Sequence, residues 1–128
     1  KVQKMVREIL DIPVVCAHHL TRSLGMHERT VTAILNARLM PIIKELMDSV
    51  KKVLDEKNVS APIMIVKGDG SLMGEEQAQD KPIETLLSGP ASSIIGATFL
   101  ANEKDALVLD MGGTTTDIAI LKNANPFL

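Results

Sequence analysis

The stretch 107-LVLDMGGTTTDIAIL-121 is an apolar run, a polar turn containing two glycines, and a second apolar run. Leu107, Val108 and Leu109 predict one buried strand, and Ile118, Ala119, Ile120 and Leu121 another. A connection this short obliges the two strands to pair as an antiparallel hairpin. Gly112 and Gly113 are expected to supply the unusual backbone angles of the turn and, lacking Cβ atoms, to let a bulky ligand reach the main chain. Thr114, Thr115 and Thr116 add hydroxyls and amides. The loop is thus a cup of N–H donors rimmed by hydroxyls, suited to phosphate oxygens. Asp110 and Asp117 flank it. Carboxylates beside a phosphate repel it unless a cation lies between them, and Mg²⁺, held partly through water, is the cation such a site takes. The same residues also suit a plain hairpin whose aspartates only organise the turn.

Working outward, Pro82 to Leu87 reads as a short extended piece, and Ser88-Gly89-Pro90 as a helix start with Ser88 or Gly89 at the N-cap and Pro90 at the first helical position. The helix from Pro90 to about Ala101 carries Ala91, Ser92, Ser93, Gly96 and Ala97, a small-residue face that lets a backbone or a helix come close. Pro62 to Val66 predicts a strand and Lys67-Gly68-Asp69-Gly70-Ser71 the loop after it. Gly68, Gly70 and Gly74 only weakly match a dinucleotide-binding fingerprint: the last glycine is one place late, and Glu75 to Asp80 is too short and polar for a crossover helix.

Further out, Val31, Ile34, Leu35, Leu39, Ile42, Ile43, Leu46, Val50, Val53 and Leu54 recur at helical spacing across Glu28 to Lys57. Pro41 should kink or split that helix, and Asn58 suits a left-handed cap. Val14 to Ala17 predicts a short buried strand that ends at His18-His19. Adjacent histidines on a strand face opposite ways and cannot easily share a metal, and the end of a strand suits a loop position near a substrate pocket better. Residues 1 to 10 place Val2, Met5, Val6, Ile9 and Leu10 on one helical face. The alternation of helices and strands makes the fold class α/β.

The 128 residues suffice for one domain with a real core. With 45% apolar and 23% charged residues the composition is that of a soluble globular protein, and a net charge of −2 leaves no basic footprint for nucleic acid. The apolar runs are far short of a membrane span. The single Cys16, set among Val14, Val15 and Ala17, suits a structural thiol and a reducing cytoplasm. The start at Lys1 inside a helix-like stretch, and the end just after the hairpin, predict a segment of a longer chain whose last hairpin strand is left as an edge.

The loop pattern of aspartate, Gly-Gly, threonine and aspartate between apolar strands resembles the second phosphate loop of the actin-like ATPase superfamily. More narrowly, LLSGPASSIIGA and VLDMGGTTTDIAIL resemble the hydantoinase A/5-oxoprolinase family, with Leu-Leu-Ser-Gly-Pro-Ala-Gly-Gly and Asp-Met-Gly-Gly-Thr-Ser-Thr-Asp. Glu28-Arg29-Thr30, Thr32-Ala33 and Leu35-Asn36-Ala37 are similar to a further family helix, and Gly70 with Leu72-Met73 to its Asn-Gly-Gly-Leu-Met loop. Asp69 and Ser71 depart from that loop, and Ser92 and Ser93 stand where the pattern has Gly-Gly. The resemblance implies part of an actin-like, ribonuclease-H-like ATPase domain: a mixed sheet with a terminal antiparallel hairpin and flanking helices. Residues 1–128 would then be a single partial domain of a larger hydantoinase A-type chain.

It further implies ATP-driven opening of a cyclic amide such as 5-oxoproline or a hydantoin, in which phosphorylation of the carbonyl oxygen turns it into a leaving group. On this reading Asp110 holds Mg²⁺ through water, and the backbone of Gly112, Gly113, Thr114 and Thr115 holds the ATP phosphates. Asp117 orients water or braces the turn, and Asp69, Ser88 and Gly89 lie on the substrate side. The rest of the chain and a hydantoinase B-type subunit are the implied partners. The alternative is an actin-like regulatory or chaperone ATPase with no ring chemistry. In either case one jaw of a two-jaw site is expected to be inactive alone.

Overall fold

The computed structural model describes residues 2–10, 12–22, 24–123 and 125–127. Lys1 and Leu128, on which the sequence-based view of the chain ends rested, lie outside them. The chain divides into two compact units, residues 1–63 with 74–84, and residues 64–73 with 85–128.

The first unit is helical. α1 spans Val2–Leu10, as its periodicity predicts, but Val2, Met5, Ile9 and Leu10 of its apolar face are exposed. Gln3 ties it down by donating to the Val14 carbonyl at 3.1 Å. Residues 14–16, expected to be a strand, have no regular structure, and a single turn, α2 (Ala17–Leu20), follows. A lone β-branched run forms a strand only when a neighbour supplies ladder partners, and none of the described strands pairs with it. His18 and His19 therefore share one turn, with ring centroids 4.1 Å apart at 63°.

α3 (Met26–Glu56) runs for 31 residues and is not split by Pro41. Proline removes one hydrogen bond of the ladder. Here both Pro41 and Ala37, whose carbonyl loses its donor, are exposed, so that carbonyl is not buried without a partner. The end of α3 is a Schellman cap: Asn58, at φ 53°, donates to the Asp55 carbonyl, and Val59 to that of Leu54. Of the predicted apolar stripe, Leu39, Ile43, Val50 and Leu54 are half-buried, whereas Ile34, Ile42, Leu46 and Val53 are exposed. The buried positions are Met47 and Asn36.

Asn36 is the knot of this unit. Its side chain is fully buried, donating from Nδ2 to the Asp80 carbonyl at 3.0 Å and accepting from the Ile83 amide through Oδ1 at 3.1 Å. These bonds fasten α3 to the segment joining α4 (Glu75–Asp80) and a 3₁₀ turn (Pro82–Thr85), where an extended piece was expected. α4 forms although it is short and polar. Ala78 is fully buried, and Glu75 pairs with Lys51 of α3, the bond from Lys51 to that carboxylate raising the lysine's pKa.

The second unit holds the strands. β1 (Met64–Val66) and β2 (Leu72–Gly74) pair across the loop 67–71, a connection short enough to make them antiparallel. Gly74 thus ends a hairpin strand, which removes the dinucleotide fingerprint. α5 (Ser88–Ala101) precedes β3 (Ala106–Met111), β4 (Thr116–Lys122) and β5 (Asn125–Phe127), a sheet in the order β3-β4-β5. The chain is α/β, but the expected mixed sheet is replaced, among the described residues, by two small antiparallel ones. β5 pairs with β4, so the second hairpin strand is central and not an edge.

Ala106 faces Leu121, Val108 faces Ala119, and Asp110 faces Asp117 across the hairpin. This face meets α5, and Leu121 on it is buried. The other face pairs Leu107 with Ile120 and Leu109 with Ile118, all four exposed. The runs read as buried strands are therefore buried on alternate residues only.

Candidate functional site

Every candidate site residue falls in the second unit. The β3–β4 connection is closed by one hydrogen bond, from the Gly112 amide to the Thr115 carbonyl at 2.9 Å. A Cβ on Gly112 would press on that oxygen at 3.3 Å, whereas one on Gly113 would meet nothing within 4 Å. Gly113 therefore leaves the main chain open to a ligand. The expected unusual angles are absent: among the described glycines only Gly70, at φ 82°, is left-handed. Gly112 and Gly113 are small for access and for the tight closure, not for backbone twist.

The amides of Gly113, Thr114 and Thr115 have no acceptor among the described residues, and all of 112–117 is exposed. At the foot of the loop Asp110 and Asp117 are direct cross-strand partners. Such partners project to the same face, with Cβ atoms roughly 5 Å apart, where like charges repel. Asp117 is exposed and Asp110 half-buried. Asp110 Oδ2 accepts a short hydrogen bond, 2.5 Å, from Ser93 Oγ of α5, within the range of a hydroxyl bonded to a charged carboxylate.

A cavity of about 200 Å³ opens beside this pair, lined by Pro90, Ser93 and Ile94 of α5 and by Val108, Asp110 and Ala119 of the hairpin, among others. α5 enters it through Leu87, which caps the helix at φ 62° without a side-chain cap. Leucine in this conformation is strained. Ser88 and Gly89 are the first two helical residues, not the caps expected, and Pro90 is the third. At that place its missing N–H still costs nothing, because the first amides of a helix lack intrahelical acceptors.

Asp69 lies in the 67–71 loop. Its Oδ1 accepts from Ser71 Oγ at 2.6 Å and from the Ser71 amide at 2.9 Å, and Lys67 Nζ stands 3.4 Å from Oδ2. The Ser71 bonds, then Lys67, hold its pKa down at about 2. The departures from the family loop, Asp69 and Ser71, are thus each other's partners. Gly70 is favoured here by its positive φ, while a Cβ would meet only the Cδ1 tip of Ile95 in α5, at 2.7 Å.

The donor set fits Mg²⁺ bound together with a phosphate. Two facing carboxylates supply hard oxygen, and an open loop supplies amides for the anion, whereas no cluster of three or more His, Cys, Asp or Glu among the described residues would hold a metal alone. Sequence reasoning found the loop but not Ser93 as a partner of Asp110, nor the strain at Leu87. No local signal singled out Ser93, since α5 also carries the hydroxyls of Ser88, Ser92 and Thr98.

A family model described as hydantoinase/oxoprolinase matches residues 29–127, which include the hairpin, α5 and the 67–71 loop. Among curated relatives, 5-oxoprolinase 1 of Arabidopsis thaliana is 30% identical over 92% of this chain and 10% of its own length. The caprolactamase subunit alpha of Pseudomonas jessenii is 26% identical over 92% of this chain and 18% of its own. The acetophenone carboxylase gamma subunit of Aromatoleum aromaticum is 27% identical over 93% and 18%. The chain spans between a tenth and a fifth of the length of these proteins. No helix among the described residues is long and apolar enough to cross a membrane. With the match running through every segment that builds the site, this chain belongs to the hydantoinase/oxoprolinase family.

Proposed function

We propose that this chain contributes the second phosphate-binding loop, with its Mg²⁺ carboxylate, to an ATP-dependent hydrolase of cyclic amides within an actin-like ATPase domain. The observation that carries the proposal is the open connection 112–115, with unengaged amides, standing over the directly opposed Asp110 and Asp117. Opposed carboxylates under an anion site are a cost without a cation and an asset with one. Family membership and relatives named 5-oxoprolinase and caprolactamase support cyclic amides of the 5-oxoproline or hydantoin class as substrates.

When bound, MgATP supplies the phosphoryl group that activates the amide carbonyl. The chain's own residues position and neutralise charge. The amides of Gly113, Thr114 and Thr115 would hold the phosphates, with the Thr114 and Thr115 hydroxyls available to the phosphate or to water beside the cation. Asp110 would hold the cation through water, and Asp117 would orient water or brace the turn. Asp69 acts on the substrate side through the shape of its loop, since its carboxylate is committed to Ser71. Ser88 and Gly89 set the mouth of α5. Two relatives are named as subunits, which supports a partner subunit; the resemblance makes a hydantoinase B-type chain, in the cytoplasm, the partner proposed.

The test is ATP hydrolysis by the full-length parent protein, with and without 5-oxoproline or a hydantoin, beside Asp110→Asn. The expected result is Mg²⁺-dependent turnover stimulated by the amide and reduced on the order of a hundredfold or more by Asp110→Asn. Turnover indifferent to amides moves the reading to a regulatory ATPase. Turnover intact in Asp110→Asn refutes the metal role.

A further inference from the structure

Ser93 behaves unlike the other bonded hydroxyls of α5. Ser92 donates to the Ser88 carbonyl at 2.7 Å and Thr98 to that of Ile94 at 2.8 Å, each one turn back along its own helix. That local bond is the ordinary fate of a helical hydroxyl. Ser93 forgoes it and reaches across to Oδ2 of Asp110 on β3, 17 residues away in sequence and partly buried. A hydroxyl that leaves its helix for a carboxylate fixes that carboxylate's rotamer. Oδ1 of Asp110, by contrast, has no donor among the described residues.

We infer that Ser93 is a positioning residue for Asp110: its hydroxyl holds Oδ2 against α5 and leaves Oδ1 as the oxygen that would face the hydrated Mg²⁺. The inference rests on the metal role proposed for Asp110 and deepens it. Three consequences follow from the one bond. Asp110 engages the hydrated cation through a single oxygen. The donated proton draws off part of its charge, which eases the opposition to Asp117 before a cation arrives. The grip also couples the entry of α5, with Leu87 and Pro90 on the same cavity, to the metal side of the hairpin. Partners that orient a metal's carboxylates in this manner are worth roughly 10–100-fold in metal affinity.

The test uses the full-length parent protein with Mn²⁺ as a spectroscopic probe, titrated by electron paramagnetic resonance in the presence of ATP, on Ser93→Ala, Ser93→Thr and Asp110→Asn. Ser93→Ala is expected to weaken Mn²⁺ binding roughly tenfold and to raise the Mg²⁺ concentration for half-maximal turnover by the same factor, with kcat at saturating Mg²⁺ changed far less. Ser93→Thr, which keeps the hydroxyl, is expected to restore affinity. If Ser93→Ala leaves Mn²⁺ affinity unchanged while Asp110→Asn weakens it, the positioning role is overturned and the metal role of Asp110 stands. If Asp110→Asn also leaves it unchanged, the metal role fails and takes the inference with it. Equal losses in Ser93→Ala and Ser93→Thr, matched by a lowered unfolding midpoint, would make Ser93 a packing residue and likewise overturn the inference.

Discussion

Replacing Asn36 tests whether one buried amide holds the helical unit together. Asn36→Ala deletes the bonds to the Asp80 carbonyl, 3.0 Å, and from the Ile83 amide, 3.1 Å, at a position with 0% exposure. Each buried backbone group left without a partner costs about 1–3 kcal/mol. Asp80 is at the surface, where water replaces part of its loss, whereas the adjoining Pro82 is buried. The sum is about 3 kcal/mol, and with a urea m-value of about 2 kcal/mol/M the unfolding midpoint falls by roughly 1.5 M. Because the chain has two units, the midpoint is read together with hydrogen exchange at the Ile83 amide, which loses its protection locally.

Asn36→Asp sharpens the test. The introduced carboxylate still accepts from Ile83 but turns a second oxygen toward the Asp80 carbonyl, so burial and repulsion raise its folded pKa above the unfolded value of about 3.9. A raised folded pKa means that its protonated form, able to donate to Asp80, prevails below the unfolded pKa. The deficit relative to Asn36 is therefore smallest there and grows as pH rises through the folded pKa. An Asn36→Ala cost below about 1 kcal/mol, or an Asn36→Asp deficit equal at pH 4 and pH 8, would refute the role given to this side chain.

Other outcomes follow from the second unit. Of the described non-glycine residues with positive φ, Asn58, Asn102 and Asn123 are asparagine and only Leu87 is not; Leu87→Asn is expected to raise stability by about 0.5–1 kcal/mol, since Leu87 is 76% exposed and little packing is lost, and a fall in the urea midpoint would show that no strain resides there. The Asp69 carboxyl, followed by NMR, is expected to titrate at about 2. A depressed folded pKa makes its hold on Ser71 complete above the unfolded value and lost as pH falls through about 2; titration at the unperturbed value would show the Ser71 bonds absent in solution.

The hairpin was legible because two apolar runs bracket a glycine-containing turn, and the facing of Asp110 and Asp117 follows once the loop length is fixed. The cap at Asn58 was legible because asparagine tolerates a left-handed backbone. Val14 to Cys16 misled, since a short β-branched run does not announce whether a partner strand exists. Glu75 to Asp80 misled in the opposite sense: nothing local favours that helix, and its stability comes from Ala78 buried in the unit and Glu75 held by Lys51. The Ser93–Asp110 bond was beyond reach for a related reason. It joins residues that only the packing of α5 on one particular face of β3 brings together.

The two faces of that hairpin also set how the chain behaves as a solute. The helix-facing side carries Ala106, Val108, Ala119 and the two aspartates, while Leu107, Leu109, Ile118 and Ile120 stand 52–68% exposed on the other. Its average hydropathy is that of an ordinary soluble protein, but the average conceals a polarity across the thickness of a single sheet. In colloidal terms the hairpin is an amphiphile, with one apolar and one polar side, on which concentration, interfaces and mild detergents are expected to act more strongly than composition foretells.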